Sequence, residues 1–305
     1  MRVVFMGTPE FAVYSLDAVI ERGDEVALVV SQQDRPKDRG KKMQPTAVKK
    51  RAKELGLPVF QPENIKSDET FELLKEIEPD IIVVTAYGQI LPRRILELTK
   101  YGCVNVHASL LPKYRGAAPI QFAIINGEQK TGITTMYMSE GLDTGDMILK
   151  DEIEILPDDT SAILHDKLAL LSKKTLTKTL DKIEQQIAPR IAQQEELSSY
   201  APLISKQMGH IDFSKEAESV VNLVRGLPTY AYLDEHLIKL FDARLGESTD
   251  SEDYGKIIRL HKDSIEVIAK GHSVLFYEIQ VPNKKRMRVA DFLKGNSLET
   301  GAVFQ

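Results

Sequence analysis

Asp80-Ile-Ile-Val-Val-Thr85 carries four β-branched apolar residues in succession, with no polar residue among them. A strand with one face in water alternates apolar and polar side chains, so an unbroken run fits a strand covered on both faces. Two upstream runs read the same way, Arg2-Val-Val-Phe-Met6 and Glu25-Val-Ala-Leu-Val-Val30. Between them, Pro9 of Gly7-Thr8-Pro9 suits the first turn of a helix, which carries Phe11, Val13, Leu16 and Ile20 and stops near Gly23. Pro45 opens a second helix through Leu55, closed by Gly56; Val59-Phe60 is a short strand, and residues 70–77 are helical. Strand and helix in alternation predict an α/β fold whose open, mostly parallel sheet is flanked by helices.

Further along, residues 159–190 form a long helical stretch with Ile163, Leu164, Leu168, Leu171 and Leu176 at roughly helical spacing. Residues 191–209 are polar, broken by Pro202 and Gly209, and read as a linker. From Ile211 the pattern changes to a short helix over 217–224 and short apolar runs at 231–233, 237–241, 256–260, 264–269 and 274–281. Short strands separated by Gly, Asp and Asn predict a small β-barrel. The expected organisation is a first domain over 1–190, a linker over 191–209 and a second domain over 210–305.

Composition limits the classes that remain. Of 305 residues 42% are apolar and 28% charged, which is ordinary globular usage and does not fit disorder, collagen-like repeats or a coiled coil. No apolar run approaches the ~20 residues of a membrane span. Met1 to Met6 is followed at once by Gly7, with no basic leader, and reads as a buried strand rather than a signal peptide. The single cysteine, Cys103, leaves no internal disulfide and no clustered-Cys zinc site, and makes a reducing cytoplasm the natural setting. With 45 acidic against 40 basic residues the net charge is −5, which argues against wholesale coating of nucleic acid but leaves room for a local basic patch.

The densest group of reactive side chains lies between Cys103 and Asp146. In Cys103-Val-Asn-Val-His-Ala-Ser109 the period of a strand puts Asn105, His107 and Ser109 on one face. An amide and an imidazole at a strand's end suit a cleft, because open α/β sheets bind ligands outside the carboxyl ends of their strands. The loop from Leu110 to Pro119 follows, its Pro and Gly restricting the backbone so that main-chain polar groups are available to a planar heterocycle. Gly141-Leu-Asp-Thr-Gly-Asp146 then brackets a carboxylate with glycines. Asp143 is placed to orient His107 and stabilise its cationic form, as the third member of a proton-transfer relay. Singly, each residue is as well read as structural, and Asp143 as a turn former.

Asn105-Val-His-Ala-Ser-Leu-Leu-Pro-Lys-Tyr-Arg-Gly-Ala-Ala-Pro-Ile-Gln121 together with Gly141-Leu-Asp-Thr-Gly-Asp146 resembles the folate-dependent formyltransferases. The likeness also takes in residues 6–12, 34–42 and 284–295, and so covers nearly the whole chain. The resemblance implies a Rossmann-like first domain, a carboxyl-terminal barrel of oligonucleotide-binding type, and a monomer without metal. It matches Asn105, His107 and Asp143 to the family's catalytic residues, and Ser109, Leu110, Leu111 and Pro112 to the segment that binds 10-formyltetrahydrofolate. The branch it points to formylates the α-amine of methionyl-initiator tRNA. Amine attack on a formyl carbon makes a tetrahedral oxyanion, which Asn105 and the His107 imidazolium would stabilise as donors.

Residues 34–42 hold five cations, Arg35, Lys37, Arg39, Lys41 and Lys42, against two anions. A solvated loop is the bland reading. This one leaves a strand's carboxyl end, and the resemblance implies tRNA recognition there, with Arg39 as the key arginine. Lys284, Lys285, Arg286 and Arg288 form a second basic stretch for the tRNA backbone. Gly7-Thr8-Pro9 lacks the further glycines of a dinucleotide loop. The chain has no Trp, and Pro228-Thr-Tyr-Ala-Tyr232 stands where relatives carry a Trp-Pro element. Two other readings stay open: a formyltransferase acting on a sugar-nucleotide or ribonucleotide amine, and a non-catalytic RNA- or folate-binding protein.

Overall fold

The computed structural model describes residues 1–37 and 42–305, with only the backbone described at 37 and 42. Two compact units divide the chain: residues 1–119, 130–154 and 163–201, and residues 120–129, 155–162 and 202–305.

The first unit is built on one sheet. Its strands are β1 (Arg2–Gly7), β2 (Glu25–Val30), β5 (Val59–Phe60), β6 (Ile81–Thr85), β7 (Cys103–His107), β9 (Lys130–Tyr137) and β10 (Met147–Glu154), with a separate antiparallel pair of β3 (Arg35–Lys37) and β4 (Lys42–Gln44) and a short β8 (Arg115–Gly116). The order is β10-β9-β7-β6-β1-β2-β5. Every pairing from β5 to β7 is parallel, whereas β9 and β10 are antiparallel. The expected open, mostly parallel sheet is therefore present. Its covered strands have the expected burial: Val3, Val4, Phe5 and Met6 are fully buried, as are Ile81, Ile82 and Val83. Helix α1 (Glu10–Glu21) lies against β1, β2 and β6. Leu74 of α3 (Asp68–Ile77) and Ile95 of α4 (Arg93–Leu96) close over Val4, Met6, Ile82 and Val84. Helix α2 (Ala47–Glu54) begins two residues after Pro45, because the Thr46 side chain accepts the Lys49 N–H and so caps it. Helix α5 (Pro119–Ile125), all but its first residue in the second unit, precedes β9 along the chain, and α6 (Ser161–Glu184) buries Leu164, Leu168, Leu176, Leu180 and Ile183 along one stripe.

The stretch read as a linker is partly folded. Ile191 bridges Met147 in both directions, and β11 (Tyr200–Ala201) pairs in parallel with β8. Its polar composition gives no periodicity because two-residue pairings leave none to detect.

In the second unit, α7 (Ala217–Gly226) packs against an antiparallel sheet of β12 (Thr229–Leu233), β13 (His236–Ser248), β16 (His272–Gln280), β15 (Ile265–Ile268) and β14 (Ile257–Leu260), in that order. β17 (Met287–Arg288) adds to β16 and leads into α8 (Val289–Phe292). The chain's end closes this sheet into a small barrel. Gln305 and Tyr232 exchange both backbone hydrogen bonds, at 2.7 and 2.6 Å, while Phe304 N–H donates to Gly255 and Ile257 N–H to Ala302. The carboxyl-terminal residues thus bridge the two edge strands, removing open edges. Phe213, Phe276 and Phe304 fill the centre, with ring centroids about 6 Å apart.

Candidate active site

Strand β7 sets the site. Asn105 pairs with Val84 on one side and Met136 on the other, and His107 pairs with Thr134, so both side chains stand at the carboxyl end of the parallel part of the sheet. That is where open α/β sheets gather ligands. Asp143 reaches them from the turn after β9, with its own backbone in the left-handed region at φ 53°. Asn105 Nδ2 donates to Asp143 Oδ1 at 3.3 Å, and His107 Nδ1 stands 3.6 Å from Asp143 Oδ2. The His107 and Asp143 side chains are only 7% and 11% exposed, so their electrostatics act under reduced screening. The three residues matched by the resemblance therefore meet.

The surroundings fix this group. Gly116 N–H donates to Asp143 Oδ2 at 2.8 Å, anchoring the carboxylate from a second segment. Gly116 has φ 112°, and a Cβ there would come within 2.6 Å of the Ala201 carbonyl oxygen and the Tyr200 ring, so only glycine fits. The Gln193 amide donates to the carbonyls of Asp143 and Gly145, both at 2.8 Å, and its oxygen accepts from Arg115 Nε at 3.0 Å. Arg115 is itself buried and forks onto the Glu195 carboxylate. The His107 Nε2 lies 2.9 Å from the Tyr114 carbonyl oxygen. A carbonyl only accepts, so this nitrogen carries a proton and Nδ1 is the one facing Asp143.

The segment matched to folate binding has a rigid base. Thr134 Oγ donates to the Ser109 carbonyl at 2.6 Å and accepts the Leu111 N–H at 3.1 Å, and the Lys150 ammonium donates to the Leu111 carbonyl. Burial pushes the Lys150 ammonium below its ordinary range. Strand β7 ends at His107, so the alternation does not run on to Ser109. The Ser109 hydroxyl turns inward and donates to the Lys113 carbonyl at 2.6 Å, in a fully buried position, rather than sharing the face of Asn105 and His107. Leu111 is fully buried, and the Leu111–Pro112 peptide is cis.

Among the basic residues, Arg35 is exposed, and Asp34 before it is tied to Lys49 at 2.6 Å and Gln61 at 2.8 Å. The Lys49 hydrogen bond, helped by Gln61, holds the Asp34 carboxyl below its usual range. The backbone of Lys37 pairs with that of Lys42, and Arg39 and Lys41 lie outside the described residues. In the second unit Lys284 and Lys285 are exposed, and Arg286 lies over the Phe241 ring at 4.2 Å. Cys103 is a filler: burial raises its thiol to about 12, which keeps it protonated and unreactive. Gln193, Thr134 and the Gly116 N–H were absent from the sequence reading; Gly116 lies inside the motif, but nothing local marks the other two.

Comparison with known proteins gives the family of the chain. The Formyl transferase family model matches residues 1–180 and the Formyl transferase, C-terminal domain model residues 203–297. The chain is 49% identical over 307 residues to the methionyl-tRNA formyltransferase of Clostridioides difficile (strain 630), covering 99% of each chain. It is 48% identical to the methionyl-tRNA formyltransferase of Alkaliphilus oremlandii (strain OhILAs), again over 99% of each. Among solved structures, the sugar 3N-formyl transferase WlaRD superposes with a TM-score of 0.66 at 20% identity over 93% of this chain and 99% of that one, a likeness of fold. The chain belongs to the formyl transferase family, in its methionyl-tRNA formyltransferase branch.

Proposed function

We propose that the chain transfers the formyl group of 10-formyltetrahydrofolate to the free α-amine of methionyl-initiator tRNA. What supports this is the meeting of Asn105, His107 and Asp143 in a chain that matches methionyl-tRNA formyltransferases from end to end. The amine nitrogen adds to the formyl carbon, and the carbonyl oxygen takes up the negative charge. Asn105 spends one N–H on Asp143 and keeps the second for that oxygen. His107 presents the Nδ1 edge, 3.6 Å from a carboxylate that balances positive charge on the ring. Donors placed where charge develops contribute about 3 kcal/mol each in acyl transfer. The tetrahedral adduct then collapses, breaking the bond from formyl carbon to the folate nitrogen. The proton lost by the amine passes by way of Asp143, or a water it holds, to that leaving nitrogen.

Ser109, Leu110, Leu111 and Pro112 give the folate a base clamped by Thr134 and Lys150. Arg35, Lys37, Arg39, Lys41 and Lys42 hold the acceptor end of the tRNA, and Lys284, Lys285 and Arg286 its backbone. The enzyme works as a cytoplasmic monomer. No helix among the described residues is long and apolar enough to cross a membrane. The test is the mass of charged tRNA after incubation with the formyl donor: methionyl-initiator tRNA gains one formyl group and elongator methionyl-tRNA does not. Formylation of an amino-sugar nucleotide in preference to tRNA would overturn the reading.

A further inference from the structure

Strand β12 turns Thr229 and Ala231 into the barrel and leaves Tyr230 and Tyr232 on its outer side, where Tyr232 is 39% exposed. Their rings meet edge to face at 5.8 Å, and the His210 ring lies 5.3 Å from Tyr230 and 5.9 Å from Tyr232. His210 is fixed there by a backbone bridge to Tyr230 and by its Nε2 contact with the Gln305 carbonyl at 3.2 Å. Three rings from two segments thus gather on the surface.

The same face carries one cation without an ion pair. The register places Lys239 of β13 directly opposite Tyr230, with Gln280 of β16 beyond it. Two residues along β13 from Lys239, Phe241 lies under the Arg286 guanidinium. Glu278 opposes Phe241 and pairs with Arg286, while Lys239 has no ion pair among the described residues. Cross-strand neighbours stand about 5 Å apart, so the tyrosine rings and the Lys239 ammonium share one continuous surface, whereas the Phe241 face is covered by Arg286. Rings beside cations are what unpaired nucleotides require: each base stacks on a ring while its phosphate meets a cation. A duplex hides its base faces and gains nothing from exposed rings.

From this geometry we infer that the outer face of β12 and β13, from His210 and the two tyrosines to Lys239, is a stacking platform for unpaired nucleotides of an RNA. It deepens the proposed function, on which it rests for the RNA to be a tRNA, by assigning the barrel an aromatic contact with single-stranded bases besides backbone charge. The aromatic cluster gives affinity without base identity, since every base offers a π-face.

The full-length protein is titrated at low salt into a short single-stranded RNA with 2-aminopurine at its centre, and into a blunt RNA duplex of the same length. Stacking quenches 2-aminopurine, so quenching on binding the single strand is expected. Tyr232→Leu and Tyr230→Leu, which keep bulk but lose the ring, should each weaken single-strand binding roughly tenfold and reduce the quenching at saturation. Tyr232→Phe should behave as the parent, and duplex binding should be unchanged in all three. Lys239→Ala should flatten the salt dependence by about one unit of slope while leaving saturated quenching intact. Melting curves matched to the parent establish that the variants fold. A Tyr230→Leu/Tyr232→Leu double variant that binds and quenches like the parent would overturn the platform. Formyl transfer to methionyl-initiator tRNA, assayed on the same preparation, reports separately on the function beneath it.

Discussion

Nδ1 of His107 lies 3.6 Å from Oδ2 of Asp143, and that same oxygen accepts the Gly116 N–H at 2.8 Å. The imidazole is held at Nε2 by the Tyr114 carbonyl, and its Nδ1 faces the carboxylate without a direct hydrogen bond. The carboxylate is oriented by a backbone donor from a different segment, so its position does not depend on the imidazole.

Removing the members of this group should separate chemistry from folding. Asn105→Ala, His107→Ala and Asp143→Ala are each expected to lose about 100-fold or more in kcat/KM for formyl transfer, with the melting temperature little changed. Because they act on one reacting centre, a double variant should lose far less than the product of the single losses. Near-normal turnover in all three single variants would remove the mechanism.

Gly116→Ala tests the anchor. The left-handed φ and the 2.6 Å approach to the Ala201 carbonyl leave no room for a methyl group. Strain of this kind costs on the order of 1–3 kcal/mol. The variant should melt several degrees lower, and kcat should fall more than stability accounts for, as the N–H that holds Asp143 moves. Unaltered kcat at a temperature where the variant is folded would show that the anchor is dispensable.

Arg39→Ala addresses the basic stretch over residues 34–42. Loss of a phosphate contact should raise the KM for tRNA several-fold and flatten the salt dependence by roughly one unit of slope, leaving folate binding alone. The measurement is kcat/KM against salt concentration, and an unchanged slope would count against contact there.

Acid stability should depend on Glu266. Burial pushes its carboxyl up, but hydrogen bonds from His261 at 2.8 Å and Ser273 at 2.8 Å, with Arg259 nearby, outweigh this, and the net direction is down from 4.5. A carboxyl depressed in the folded state contributes stability above its unfolded value, and that stability is lost as pH falls through the folded value. Wild-type melting temperatures should therefore drop below about pH 4.5 more steeply than those of Glu266→Gln. Parallel profiles would exclude the linkage.

Much of the fold was legible because its signals are local. Unbroken apolar runs marked β1, β2 and β6, and Pro9 with Gly23 and Pro45 with Gly56 marked the first two helices. The alternation around Asn105 and His107 held for as long as the strand did, and failed at Ser109, where the backbone leaves the sheet and the hydroxyl closes on Lys113. In the barrel, the short apolar runs marked β12 to β16, but neither β17 nor the length of β13. Its outer half carries charged residues that look like loop.

By itself the sequence determined the class of fold, the motif and the charge of the residues around it, since side-chain periodicity and residue chemistry are properties of neighbours along the chain. Only the tertiary structure decided that Asp143 is held by Gly116, that Gln193 from a polar stretch ties down its backbone, and that the last residues close the barrel. Those contacts join segments far apart along the chain. Their partners are selected by packing and by the need of each buried polar group for a hydrogen bond, neither of which leaves a local trace.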